Sequence, residues 1–225
     1  MKQIVHAINR VLIILIFPAL LGGLILVISI LQNGPSIWNQ QTIDEIAGVP
    51  ASDIKLSDIK SLNKSQLMQL FFAADAPPIE EMVGEYRGKI VRIGILALPF
   101  EYYSRYLFGP GVWSGKAFYP YRLRGDGEGY NLFTARGRDG QTTVYRTCRV
   151  RTYITLSNID KNKNSFHIDY KPFNKGLNGT LHGEIRKINH RIYLGMVYSS
   201  VVGGSLNPIP FVLHGPATGW VGPSE

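Results

Sequence analysis

Residues 181–214 read LHGEIRKINHRIYLGMVYSSVVGGSLNPIPFVLH, and this stretch decides the fold class. Turn-forming residues at 189–190 and 203–205 divide it into three apolar runs at hairpin spacing. Alternate residues of the middle run are apolar or aromatic: Ile192, Leu194, Met196 and Tyr198. A period of two is typical of a strand with one buried face, so the stretch predicts consecutive antiparallel strands.

Runs of the same type precede this stretch. They cover residues 84–94, 116–124, 130–135, 142–157 and 165–170. The 142–157 run is long enough to indicate a curve or bulge, whereas GDGEG at 125–129 is typical of a turn. About eight sequential strands without strand–helix alternation predict a mainly β chain. We expect an eight-stranded antiparallel up-and-down barrel, which has no exposed edge and leaves room for one small ligand.

Short helices are expected before and within this sheet. Between residues 56 and 71, apolar residues recur at steps of three and four, which predicts two amphipathic helices with Ser57 and Asn63 as N-caps. These helices would either plug one end of the barrel or lie on a membrane. A single helical turn is expected at 43–47, and residues 96–108 predict a short helix or lid.

An apolar segment near the amino terminus indicates a membrane anchor. Residues 11–31 contain no charge and would form a helix about 31 Å long, which matches the bilayer core. The run is longer than the core of a cleaved signal, and no small-x-small cleavage motif follows it, so an uncleaved transmembrane helix is preferred. Lys2 and Arg10 precede it, whereas 32–43 is uncharged, which predicts a cytoplasmic amino terminus.

We therefore expect a single-pass protein of the bacterial inner membrane, with its folded domain periplasmic or extracellular. Its expected organisation is a cytoplasmic segment 1–10, an anchor 11–31, a tether 32–55, a barrel domain with its helices 56–215 and a tail 216–225.

Charge and motif content exclude several classes of function. The formal net charge is +8, but no run of Lys and Arg of nucleic-acid-binding type occurs, so no nucleic-acid partner is expected. Cys148 is the sole cysteine, which rules out an internal disulfide and suggests a small buried filler. GPGVWSGKA at 109–117 fails as a phosphate loop, because Pro110 and Ala117 replace required residues. No cofactor is expected.

Short motifs, most of them combining glycine with an aromatic residue, occur in order along the chain. GEYRG lies at 84–88, GVWSG at 111–115, EIRKI at 184–188 and YLG at 193–195. Over about residues 67–214, the chain resembles bacterial lipocalin-like proteins of the GXWXG-motif type, within the calycin group. Tyr86 stands where lipocalins have Trp. The resemblance implies an eight-stranded calyx that binds an apolar or amphipathic small molecule.

Aromatic residues on the predicted strands are the first candidates for ligand contact. They are Trp113, Phe118, Phe133, Tyr153, Tyr170, Tyr193 and Tyr198. Those that point inward would line an apolar pocket, with hydroxyl groups as polar handles. The alternative is ordinary core packing.

Polar residues on two adjacent strands form the second candidate set: His167, Asp169, His182, Glu184 and Arg186. If the two strands pair as a hairpin, Asp169 would lie opposite His182 and His167 opposite Glu184. Such a cluster would bind a ligand headgroup, hold a metal or transfer protons. It would otherwise be an outer face with cross-strand ion pairs. A metal is not expected, because no tight His-x-His spacing occurs.

Three hypotheses for function follow. The first is a non-enzymatic, membrane-tethered barrel that binds a lipid or other small hydrophobic molecule. The second is an envelope interaction module whose barrel is filled by its own side chains, with no partner protein indicated by the sequence. The third is an enzyme that uses His167, Asp169, His182 and Glu184 as acid and base.

Overall fold

The computed structural model describes residues 16–91, 94–121, 125–137 and 139–224. Eight antiparallel strands form a closed barrel in which neighbours in the chain pair and the last strand pairs with the first. The strands are β1 Gly84–Ile90, β2 Val112–Pro120, β3 Asp126–Arg136, β4 Thr142–Leu156, β5 Asn164–Asp169, β6 Leu181–Lys187, β7 Ile192–Ser199 and β8 Ile209–Thr218. The mainly β, closed up-and-down barrel predicted from the sequence is confirmed.

Within the described residues, five α-helices accompany the barrel: α1 Phe17–Leu31, α2 Ile43–Ala47, α3 Leu56–Ser61, α4 Lys64–Ala73 and α5 Ala97–Tyr106. Asn63 caps α4 as predicted, because its side-chain oxygen accepts from the Gln66 N–H at 2.9 Å. The prediction that Ser57 caps α3 is wrong. This helix begins after Lys55, whose backbone N–H donates to the Asp58 carboxylate at 2.8 Å.

Helices α2 to α4 pack on the outer wall of the barrel and do not plug an end. Leu194 and Met196 of β7 and Val212 of β8 point outward into a buried apolar cluster with Leu67 and Phe71 of α4. The opposite face of β7 is buried in the barrel interior. Strand β7 is therefore buried on both faces, which explains why its sequence is apolar almost throughout.

The structure corrects one turn prediction and confirms a bulge. GDGEG lies mostly inside β3, where Gly129 approaches the Ala117 carbonyl of β2 so closely that a side chain would overlap it. The long β4 is bulged as expected. Its register shifts between the partners of Gly129 and Asn131, and Cys148 adopts a φ of 53° there.

Aromatic side chains fill most of the barrel interior. Two of them lie directly over glycines: the Trp113 ring covers Gly88, and the Phe211 ring covers Gly195. A Cβ on either glycine would overlap the ring. Glycine at these sites lets the large rings of β2 and β8, the two strands beside β1, lie against the barrel wall, and a small central space remains.

Helix α1 is docked at one end of the barrel, here called the mouth, where β7 ends and β8 begins. Ser29 donates to the Asn207 side chain at 2.7 Å, and Asn33 donates to the Leu206 carbonyl at 2.7 Å. Across the described ranges, no helix combines the length and apolar character needed to cross a membrane. The first part of the predicted span 11–31 lies outside the described residues.

The predicted tether and tail are both folded against the rest of the molecule. Ile46 and Ile54, in the 32–55 segment, are buried in the cluster around α4. Trp220 of the tail packs on Tyr130, whose hydroxyl accepts from the Val221 and Gly222 N–H groups at 3.3 and 3.2 Å. Both segments therefore cover the outer wall.

Candidate functional site

An apolar cavity of about 230 Å³ lies at the mouth of the barrel. One wall is helix α5 with the residues before it, including Leu96, Phe100 and Tyr103. The opposite wall is formed by the ends of the strands, including Leu181 of β6, Val197 of β7 and Ile209 of β8. These side chains are apolar or aromatic, so the cavity suits a hydrocarbon group.

Helix α5 is tied across the mouth by a small hydrogen-bond network. Tyr103 of α5 donates its hydroxyl to the Asn178 side-chain oxygen, and Asn178 in turn donates to the Phe108 carbonyl at 3.1 Å. Burial raises the pKa of Tyr103 to about 12, so its hydroxyl stays protonated and remains a donor. The Tyr103 and Phe108 rings also stack at 5.9 Å. These contacts fix the outer wall of the cavity.

A second cavity of about 30 Å³ lies deeper in the barrel. Phe100, Tyr103, Leu181 and Val197 line both cavities, so the two meet at these side chains. The inner one also contacts Lys116, Trp113, Tyr170 and Phe211. Lys116 therefore places a polar group beyond the mostly apolar side chains that the two cavities share.

Lys116 is buried inside the barrel and is 3% exposed. Its ammonium nitrogen donates to the Asn131 side-chain oxygen at 2.6 Å and to the Tyr170 hydroxyl. Burial lowers the pKa of Lys116 to about 7, because desolvation disfavours the charged ammonium group. Among the described residues, no carboxylate forms an ion pair with it.

The predicted aromatic set is divided between the two surfaces of the sheet. Trp113 and Tyr170 face the barrel interior and line the inner cavity. Phe118, Phe133 and Tyr193 also face inward but belong to the packed core. Tyr193 donates to a Glu81 carboxylate oxygen at 3.0 Å, at the end of the barrel opposite the mouth.

The other two aromatic candidates lie with the polar set on the outer surface. Tyr153 stacks on His167 at 5.2 Å, and Tyr198 contacts His182 at 5.4 Å. Tyr198 also reaches the outer cavity, at its rim. The aromatic and polar sets therefore do not line one common pocket.

The predicted register of β5 and β6 is confirmed, with Asp169 opposite His182 and His167 opposite Glu184. These side chains point away from the barrel interior. The His167 Nε2–H donates to the Thr155 carbonyl at 3.2 Å, so its Nδ1 accepts from the His182 Nε2–H at 2.8 Å. The two imidazoles form a neutral pair under the aromatic rings of Tyr153 and Tyr198.

Glu184 and Arg186 hold covering segments on the outer wall. The Glu184 carboxylate is fully buried and accepts from the Ser157 hydroxyl, the Asn158 N–H at 2.9 Å and the Tyr198 hydroxyl at 3.0 Å. Arg186 is also fully buried and pairs with Asp160 at 2.8 Å. Their bonds attach the loop 157–163 to β6.

In the ranges that the structure describes, no group of three or more His, Cys, Asp or Glu side chains would hold a metal.

Acid is expected to destabilise the protein through the histidine pair. Burial lowers the pKa of both His167 and His182 below 6.5, so the unfolded state binds more protons in acid. The stability present at neutral pH is lost as the pH falls from about 6.5 through the lower folded-state values. Denaturant titrations at about pH 7 and pH 5 measure how much the free energy of unfolding falls in acid. This fall should be smaller in His182→Gln than in the wild type, and the Gln amide still donates to His167.

His190→Gln is the matched control, because His190 is exposed in the turn between β6 and β7. It should retain the wild-type loss of stability in acid. An equal loss in His182→Gln and wild type would show that the pair does not carry this pH dependence.

The sequence interpretation missed Lys116 and most of the cavity wall. Lys116 lies two residues before Phe118, so the period of a strand places both on the inward face. That signal was available in the sequence. The wall from α5 was not, because a closed mouth depends on contacts between residues about 75 positions apart, such as Tyr103 and Asn178.

Comparison with known proteins adds little to this geometry. No protein-family model matches the sequence, and no curated protein matches it either. Among solved structures, the chain is similar to a protein from Thermomonospora curvata, with 17% sequence identity and a TM-score of 0.48. The aligned region covers 69% of this chain and 88% of that chain. The barrel topology itself rests on the strand pairing observed in this protein.

Proposed function

We propose that the protein is a membrane-tethered, lipocalin-like barrel that binds a lipid or other small hydrophobic molecule at its mouth. The observation that carries this proposal is the apolar cavity of about 230 Å³ between α5 and the strand ends. Its volume lies below the roughly 300 Å³ at which pockets for drug-sized ligands begin. A single hydrocarbon chain therefore fits better than a ligand with several rings.

The surface around the mouth supports a location at the bilayer. Exposed apolar side chains project there from α5 and from the loop between β7 and β8, where Leu98 is 76% and Leu206 66% exposed. Helix α1 docks on the same loop, and its exposed face is also apolar. Exposed apolar side chains grouped on neighbouring elements are typical of membrane contact. A membrane anchor at 11–31 would hold the cavity next to the acyl chains.

A substitution that fills the outer cavity is expected to abolish ligand binding. Ile209 is half-buried and points into the cavity, so Ile209→Trp would occupy much of its volume. We expect uptake of a fluorescent fatty acid to fall at least tenfold, because the chain loses most of its apolar contact. Mass spectrometry of co-purified lipids should show the same loss.

Val144→Trp is the matched control, since Val144 is 41% exposed on β4 and lines neither cavity. It should bind the fatty acid like the wild type. A wild-type protein that takes up no fatty acid and carries no lipid would contradict the proposal.

A second function is favoured by one observation. The inner cavity measures only about 30 Å³, and aromatic side chains pack the rest of the interior. A barrel filled in this way would serve as an envelope interaction module, with the exposed apolar surface at the mouth as its contact face. This alternative predicts that Ile209→Trp and the wild type behave alike in lipid assays.

The acid–base hypothesis gains no support from the geometry. His167, Asp169, His182 and Glu184 line neither of the two cavities described above. The buried members of this set are bonded to the outer covering segments or to each other.

A further inference from the structure

Hydrogen-bond donors outnumber acceptors at the inner end of the barrel. Three groups donate to the single side-chain oxygen of Asn131: Lys116 Nζ at 2.6 Å, Trp113 Nε1 at 3.1 Å and the Tyr170 hydroxyl at 3.2 Å. An amide oxygen offers two lone pairs. The Asn131 amide nitrogen is itself a donor, and it donates to the Cys148 carbonyl at 2.9 Å, so it adds no acceptor. The site is thus short of acceptors.

The positive charge of Lys116 is also incompletely compensated. An ammonium group has three N–H donors, and the described residues supply two acceptors, Asn131 and Tyr170. The remaining compensation comes from aromatic ring faces, with Nζ at 4.9 Å from the Tyr170 centroid and at 5.6 Å from those of Trp113 and Phe211. Rings favour a cation but accept no strong hydrogen bond.

We propose that Lys116 binds the carboxylate of a single-chain monocarboxylic acid, whose hydrocarbon chain runs outward to the mouth. This inference rests on the proposed function and adds the ligand's headgroup class and its orientation. A carboxylate supplies both the acceptors and the negative charge that the inner site lacks.

The two cavities fit a ligand with a small polar head and a longer apolar tail. The inner cavity, about 30 Å³, holds roughly one water-sized group, which is the space for a carboxylate oxygen beside Nζ. The outer cavity of about 230 Å³ then receives the chain. Phe100, Leu181 and Val197 line both spaces, so the chain meets apolar contacts along its path.

The test compares an acid with an alcohol of the same length. Decanoate and 1-decanol are titrated separately into the full-length protein by isothermal titration calorimetry at about pH 7. Hydrogen bonds to a charged group exceed neutral ones by roughly a factor of two in energy, so the wild type should bind decanoate at least about tenfold more tightly. Lys116→Met should lose this preference and keep its affinity for decanol.

Lys89→Met is the matched control, because Lys89 is exposed on β1, and it should retain the wild-type preference. Equal affinity of the wild type for decanoate and decanol would overturn the inference and leave the proposed function standing. If neither compound binds the wild type, both are overturned. If Lys116→Met does not fold, the affinities of the wild type for decanoate and 1-decanol still test the inference.

Discussion

Arg186→Met is expected to lower the free energy of unfolding by about 3–5 kcal/mol. The guanidinium is fully buried, and it pairs with Asp160, which is itself buried. Removing Arg186 leaves the buried Asp160 carboxylate without a counter-charge, and this uncompensated charge causes most of the decrease in stability. Chemical denaturation monitored by circular dichroism measures this effect.

The loss includes the bonds that Arg186 makes to the end of helix α4. Its Nη1 donates to the carbonyl of Phe71 at 2.9 Å and to those of Phe72 and Ala74 at 3.4 Å. Carbonyls in the last turn of a helix have no partner within the helix, and they form its negative end. Arg186 therefore joins α4 and the loop 157–163 to β6, so the variant should also expose α4 to hydrogen exchange.

Two further variants separate these contributions. Arg191 is exposed in the turn between β6 and β7, so Arg191→Met should change stability by no more than about 0.5 kcal/mol. Adding Asp160→Asn to Arg186→Met should recover part of the loss, because it removes the unpaired charge. A loss below about 1 kcal/mol in the single variant would contradict the role assigned to Arg186.

Alkaline pH is expected to stabilise the wild-type protein relative to Lys116→Met. Burial lowers the pKa of Lys116 from 10.5 to about 7. Between these values the unfolded state binds more protons, so the free energy of unfolding rises with pH and the contribution is fully present only above 10.5. With about 1.4 kcal/mol per pKa unit, the gain between about pH 7 and pH 9 is on the order of 2 kcal/mol.

The difference between the two proteins isolates this effect. Cys148 lies near Lys116, and burial raises the pKa of its thiol, which opposes the lysine effect at alkaline pH. The charge of Lys116 lowers the pKa of this thiol, so both proteins are compared in a Cys148→Ser background, from which the thiol contribution is absent. Urea titrations at several pH values measure the difference. Parallel curves for wild type and Lys116→Met over this range would show that the amine carries no burial penalty.

The barrel was predictable because strand pairing follows local pattern. Alternation in β7 and turn residues on either side of it indicated its pairing. The sequence offered the pairing of Asp169 with His182 only as one possible register, because a ten-residue loop does not fix it, and the structure has that register. The prediction of a turn at GDGEG was wrong for a physical reason. Glycine is frequent in turns, and it is also required where a neighbouring strand or ring approaches the backbone, as at Gly129.

The functional surface was predictable only in part, because a strand pattern does not show which face is covered by other segments. His167, Glu184 and Arg186 have the polar character of a solvated or ligand-binding face. In the structure they are buried under the loop 157–163 and α4, which no strand periodicity could indicate. Lys116, in contrast, shares the inward face of Phe118, so its burial could be inferred from the barrel alone.

Crystal structures with brominated ligands test the central claim most directly, since bromine can be located by its anomalous scattering. Co-crystals with 2-bromodecanoate should place the bromine beside Lys116, and those with 10-bromodecanoate should place it in the outer cavity near Ile209. Bromine sites in the reverse order would contradict the orientation. Bromine sites outside both cavities for both ligands would contradict the binding function itself.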